Sequence, residues 1–236
     1  MAEPRQKAQQ IASALMEQIA GEPDGARLPG EQELARRFGT SRFQVRSAVE
    51  MLIEQNLVRR SRGVGTYVSR PVEMLISSKQ PPSFHAIVQA AGHRPRTKRV
   101  DIDQQAQPPV EMARMLGQTE GLKVIRLTRL GWVDDRIACC SYEWILPHLV
   151  SEVGVALGAV ESLHEVLRMG RHHPKRARST VSTEYPPADI ARRLELPRPA
   201  LAWRVQTLSV EAETSAPLMV SRTWHRQDVV RVTVES

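Results

Sequence analysis

From Ala8 the apolar positions return as Ala8, Ile11, Ala12, Leu15 and Ile19, the spacing of one helix face, until Gly21 and Pro23 break it. A second, short helix is predicted after Pro29-Gly30, with Leu34, Ala35 and Phe38 as its apolar stripe and Gly39 as its stop. Glu31 and Glu33 fall in its first turn, where negative charge suits the helix dipole. A third helix opens at Ser41, which forms a capping box with Gln44, and it carries Val45, Ala48, Val49, Leu52 and Ile53 on one face. Its opposite face presents Arg42, Phe43, Gln44, Arg46 and Ser47. The period then changes. Leu57-Val58-Arg59-Arg60 and Thr66-Tyr67-Val68 read as strands, joined by the turn Ser61-Arg62-Gly63-Val64-Gly65.

Ser69 to Ser83 holds Pro71, Ser77, Ser78, Pro81 and Pro82, a connector-like composition. Beyond it, helices are predicted at Phe84–Ala91, Val110–Leu116, Ser162–Arg168 and Ala188–Leu194. Strands are predicted at Arg96–Asp103, Arg178–Glu184, Ala200–Val210, Pro217–Arg226 and Val229–Val234, with a hairpin of Lys123–Val133 and Arg136–Ile145 turning at Asp134-Asp135. The fold class is α+β: a helical domain with a hairpin over residues 1–70, a linker over 71–82, and a domain with a mainly antiparallel sheet over 83–236.

Composition narrows the partner class. Lys plus Arg number 33 against 26 Asp plus Glu, a net charge of +7, which favours a polyanion. The chain shows neither a long apolar run nor an apolar segment at its start, so neither a membrane span nor a signal peptide is expected, and the expected compartment is the cytoplasm. Cys139 and Cys140 are neighbours and point to opposite faces of a strand, which excludes an ordinary disulfide and a four-ligand zinc site.

Two short helices separated by Gly39-Thr40-Ser41 fit a helix-turn-helix, whose second helix offers its first residues to the major groove. Arginine there suits guanine or phosphate, and glutamine suits adenine. The arginines of the following hairpin suit a wing against the DNA backbone or minor groove. The run Arg27-Leu28-Pro29-Gly30-Glu31-Gln32-Glu33-Leu34-Ala35, continuing through Ser41-Arg42-Phe43-Gln44-Val45-Arg46, resembles the winged-helix signature of GntR-type bacterial regulators. Gly63-Val64-Gly65-Thr66-Tyr67-Val68 resembles the end of their wing. Gly30 and Gln32 depart from that pattern where the family often carries Ser and Arg. The expected DNA-facing set is Arg27, Gln32, Ser41, Arg42, Phe43, Gln44, Arg46, Arg60, Arg62, Gly63, Gly65 and Thr66.

The second half resembles the UTRA effector domain of the HutC branch, which shares its fold with chorismate lyase. The residues concerned are Ser83-Phe84, Gly92-His93-Arg94-Pro95, Leu116-Gly117, Val124 to Leu130, and Ser162-Leu163. Within that branch the likeness is to PhnF-like regulators of phosphonate utilisation. The resemblance implies a sensor for a small anionic effector such as a phosphonate or phosphorylated metabolite, and the expected contacts are Ser83, Phe84, Arg126, Arg129, Tyr142, Glu143, Arg176 and Arg178. Arg129 matches a family position near the effector's anionic group, and Gly131 stands where a second basic residue is often found. Arg126 and Arg129 lie three apart on one strand and so face opposite ways.

His172-His173 lacks a third ligand at metal spacing, and no dinucleotide fingerprint, nucleophile elbow or catalytic residue is visible, so no metal, cofactor or catalysis is expected. The resulting expectation is a homodimeric regulator, a repressor, acting on inverted-repeat operator DNA. Two alternatives stay open. One is a lyase-like enzyme fused to a DNA-binding domain, and the other is an effector-independent DNA-organising protein.

Overall fold

The computed structural model describes residues 2–61, 63–77, 79–117, 121–150, 153–196 and 199–235, with Arg62 outside the described set. The chain divides into two units, Met1–Pro71 and Val72–Ser236. In the first, α1 (Ala2–Ile19), α2 (Glu31–Arg37) and α3 (Arg42–Glu54) enclose a core in which Ile11, Leu15, Leu34, Val45, Val49 and Leu52 are almost fully buried. These are the residues that the helical spacing assigned to inner faces. The end of α1 is closed by Arg70, whose guanidinium donates to the carbonyls of Ile19, Ala20 and Glu22 in and just after its last turn. The hairpin of β1 (Val58–Ser61) and β2 (Gly65–Val68) follows, in antiparallel register from Val58 opposite Val68 to Ser61 opposite Gly65. The segment before α2 joins its edge: Leu28 N–H donates to Thr66 O at 2.9 Å, and Val68 N–H to Ala26 O at 2.8 Å.

The second unit corrects the linker boundary. Val72–Ile76, inside the segment expected to be a connector, forms β3, which pairs in parallel with β10 (Val230–Val234). Its Val72, Met74 and Ile76 are buried while Glu73 is exposed, so the alternation outweighs the Ser and Pro content downstream. The main sheet has six antiparallel strands in the order β4 (Pro95–Ala106), β5 (Val124–Val133), β6 (Arg136–Ile145), β9 (Pro217–Arg226), β8 (Ala202–Glu211) and β7 (Pro174–Glu184). The β5–β6 turn is held by Asp134, which accepts from Arg94 N–H at 3.0 Å and pairs with His93 Nδ1 at 2.8 Å.

The helices are α4 (Phe84–Ala90), α5 (Val110–Met115), α6 (Val153–Ala159), α7 (Leu163–Met169) and α8 (Ala188–Arg193). One face of the sheet carries Tyr142, Trp144 and Trp224, and α8 packs there through Ile190 and Leu194 against Cys140 and Trp224. The other face carries Arg129, Ser141, Glu143, Thr207 and His225, and with α4, α7 and Met74 of β3 it bounds a cavity. Among the described residues, no helix is long and apolar enough to cross a membrane, and no group of three or more metal-ligating side chains occurs.

Candidate nucleic-acid interface and effector cavity

The capping box at the start of α3 is built as its spacing requires. Ser41 Oγ accepts from Gln44 N–H at 3.3 Å, and Gln44 Oε1 in turn accepts from Ser41 N–H at 3.4 Å and from the Thr40 hydroxyl. That geometry alters the expected readout, because the Gln44 carbonyl is occupied in fixing the helix start. Adenine recognition through it would dismantle the cap. Arg42, Phe43 and Arg46 are exposed on the same helix, and neither arginine forms an ion pair among the described residues. Arg27, Gln32, Arg42, Arg60, Gly63, Gly65 and Thr66 line one concave surface of this unit, whereas Ser41 and Gln44 lie on a separate groove beside α1.

Within the concavity, two arginines have local duties. Arg27 Nη2 donates to Val64 O at 3.0 Å, and a Cβ on Gly65, whose φ is +148°, would come within 3.2 Å of Arg27 Nε. The positive φ favours glycine there, and Arg27 shapes the wing. Arg60 is held between Glu50 at 2.8 Å and Glu31 at 3.1 Å, so its charge is compensated within the unit.

In the second unit, five of the expected effector contacts (Ser83, Phe84, Arg129, Glu143 and Arg176) line one cavity of about 100 Å³. Ser83 caps α4, its Oγ accepting from Ala86 N–H at 3.2 Å. Arg129 is not a free cation. Its Nε and Nη2 each donate to Glu143 at 2.7 Å, a bidentate pair with side-chain exposures of 11% and 7%, and its Nη1 donates to Glu161 O at 2.9 Å. Arg129 sits opposite Ser141, which makes Glu143 its diagonal neighbour on the same face. The absence of a basic side chain at Gly131 has a packing cause: a Cβ would fall 2.6 Å from Cys139 Sγ and 3.2 Å from the Phe84 ring.

Arg176 differs from Arg129. Its Nη1 donates only to hydroxyls, Ser179 at 3.1 Å and Thr207 at 3.4 Å, and its Nε is buried with no partner among the described residues. Burial alone lowers its pKa, with no carboxylate to offset the desolvation. Two other cavity groups share this condition. His164 Nδ1 and His225 Nδ1 are buried without partners among the described residues, and complete burial pushes His225 down to about 3, so it is a neutral imidazole. His85 is also lowered, by burial first and then by Arg129, against Glu161. Cys139 and Cys140 are free and buried; burial raises both thiols, Cys140 to about 12, so neither is an activated nucleophile.

The remaining expected contacts do not converge here. Arg126 lies on the opposite face, paired with Asp101 at 3.2 Å. Tyr142 also faces away: it packs against Trp144 and Trp224 and donates to Asp189 at 2.7 Å, which with burial raises its pKa. Arg178 would share a face with Arg176 in a regular strand. A bulge between the two instead sets Arg176 opposite Ser209 and Arg178 opposite Leu208, leaving Arg178 exposed. Sequence reasoning missed the polar floor made by Ser141, Thr207, Ser209, Ser221, Thr223 and His225. Their signal was small polar residues at alternate positions along β8 and β9.

The first unit thus offers a capped, arginine-flanked helix and a wing, and the second a polar cavity on a sheet. A model of the UTRA domain matches residues 90–231, and a model of the bacterial regulatory proteins of the gntR family matches residues 7–68. The chain belongs to the GntR family, with a UTRA domain. The two matched domains are those of DNA-binding transcriptional regulators that carry an effector-binding domain. This GntR regulator is 34% identical over 169 residues to the "HTH-type transcriptional regulator GgaR" of Escherichia coli strain K12, covering 72% of this chain and 66%, just under two thirds, of the relative. It is 30% identical over 213 residues to the "Probable transcriptional regulator PhnF" of the same strain, covering 89% of this chain and 87% of the relative. The crystal structure of PhnF from Mycobacterium smegmatis shares the fold, with a TM-score of 0.63 at 21% identity over 96% of this chain and 98% of that one.

Proposed function

We propose that the chain is a homodimeric repressor of an inverted-repeat operator, and that a small anion held by Arg176 controls its grip on DNA. The observation that carries this reading is a half-buried guanidinium whose buried Nε has no partner and which meets no carboxylate among the described residues, in a cavity where His164 and His225 also hold nitrogens without a described partner. Buried cations are expensive unless paired, so an unpaired one facing a cavity is a place for a ligand's charge. Arg129 has the opposite standing, since Glu143 already neutralises it; it serves as wall and hydrogen-bond frame. The ligand class is a compact phosphonate, phosphorylated metabolite or carboxylate, with the Thr207 and Ser179 hydroxyls beside the anionic group. The effector acts by binding two conformations of the regulator with different affinity.

Thermal shift of the full chain against inorganic phosphate, methylphosphonate, phosphorylated sugars and dicarboxylates tests the site. A ligand at about 100 times its Kd stabilises by about 2.7 kcal/mol. At least one such compound should stabilise the wild type and leave Arg176→Met unmoved. Equal shifts in both proteins would place the anion elsewhere.

A further inference from the structure

Phe43 is the most exposed large hydrophobic side chain among the described residues, 75% accessible, and no aromatic or cationic partner covers its ring. It stands in the first turn of α3, between Arg42 and Gln44 and one turn before Arg46. The Ser41–Gln44 capping box fixes the direction of that turn. With the Gln44 carbonyl occupied in the cap, the first turns of α3 offer two uncompensated arginines and one bare aromatic ring. The arginines suit guanine or phosphate, and their charge marks the partner of this face as a polyanion. In the major groove, the apolar group presented by an unmodified base pair is the thymine 5-methyl.

Resting on the reading of the first unit as a DNA-binding element, we infer that Phe43 is a specificity residue that packs on the 5-methyl of a thymine. Phe43 and Arg46 are three residues apart, about 4.5 Å along the helix axis. Successive bases on one strand are separated by about 3.4 Å. The thymine therefore lies within one or two base pairs of the base or phosphate met by Arg46, once in each half-site. The ring adds discrimination without adding charge, so it alters sequence preference and leaves the salt dependence of binding where the arginines set it.

Selection from a random duplex pool by the full chain supplies the sites, and the test then replaces each selected thymine with deoxyuridine, which removes the methyl alone. At one position per half-site this should weaken wild-type binding about fourfold, the effect of losing one buried methyl-sized group. Phe43→Ala should bind thymine and deoxyuridine sites equally, and Phe43→Leu should retain part of the preference. An enriched motif in which no deoxyuridine substitution matters, or in which Phe43→Ala keeps the full thymine preference, overturns the inference while leaving DNA recognition intact. Failure to enrich any motif overturns the DNA-binding reading itself and the inference with it. The wild-type deoxyuridine series decides the matter even if a variant folds poorly.

Discussion

Replacing Arg129 by Met should damage the second unit far more than removing a surface charge would. The two 2.7 Å bonds to Glu143 and side-chain exposures of 11% and 7% make this a buried, bidentate pair. Among the described residues, removing the arginine leaves the carboxylate with only the Ser141 hydroxyl, at 3.3 Å. Breaking a buried pair from one side costs about 3–5 kcal/mol, whereas replacing both members with apolar groups of similar volume is often close to neutral. All 4 tryptophans lie in the second unit, so their fluorescence in urea reports that unit alone. At a slope of about 2 kcal/mol per molar, the Arg129→Met midpoint should fall by about 2 M. The double variant Arg129→Met with Glu143→Leu should recover most of that loss. If the single variant unfolds within about 0.5 M of wild type, or the double variant is as damaged as the two singles summed, the pair is not the buried anchor described here.

Three further outcomes test other parts of the molecule. His225 has a folded pKa near 3 against an ordinary value of 6.5, so below pH 6.5 the unfolded chain takes up a proton that the folded one refuses. Stability should therefore be full above that pH and fall by about 1.4 kcal/mol per unit as the pH drops, with His85 and His164 acting in the same direction. Urea midpoints at pH 7 and 5 should show a shallower loss in His225→Leu, and an unchanged loss would refute the assignment. Ser41→Ala should cost the first unit about 1 kcal/mol, seen as an earlier far-ultraviolet melting step without a tryptophan signal; no change would mean the cap contributes nothing. Arg46→Ala should cost about 1–3 kcal/mol on a selected site, and an equal loss on random DNA would reassign Arg46 to phosphate.

The first unit was legible because its signals are local. A capping box, helical spacing and two glycines with fixed turn duties lie within a few residues of one another, and the buried faces follow from them. The strands of the main sheet were legible for the same reason, through alternation. What escaped was set by distant partners. β3 was hidden in a segment rich in Ser and Pro, and its pairing partner β10 lies at the other end of the unit. α6 contains Gly154 and Gly158, which weaken a helical pattern. The pairing of Arg129 with Glu143 depends on strand register, and the separation of Arg176 from Arg178 depends on a single bulge that periodicity cannot foresee. The arginine matched to the anion's family position is thus the neutralised one, while Arg176, also among the expected contacts, meets only hydroxyls among the described residues.

The central claim is that an anion at Arg176 governs DNA binding. It is tested most directly by measuring occupancy of a selected operator by wild type and Arg176→Met, with and without the compound giving the largest thermal shift. Without that compound the two proteins should bind DNA equally, since Arg176 lies in the second unit and carries no ion pair among the described residues. With it, the wild type should release the operator and Arg176→Met should stay bound. If Arg176→Met lets go at the same concentration as the wild type, the effector is not read by this arginine and the account is wrong.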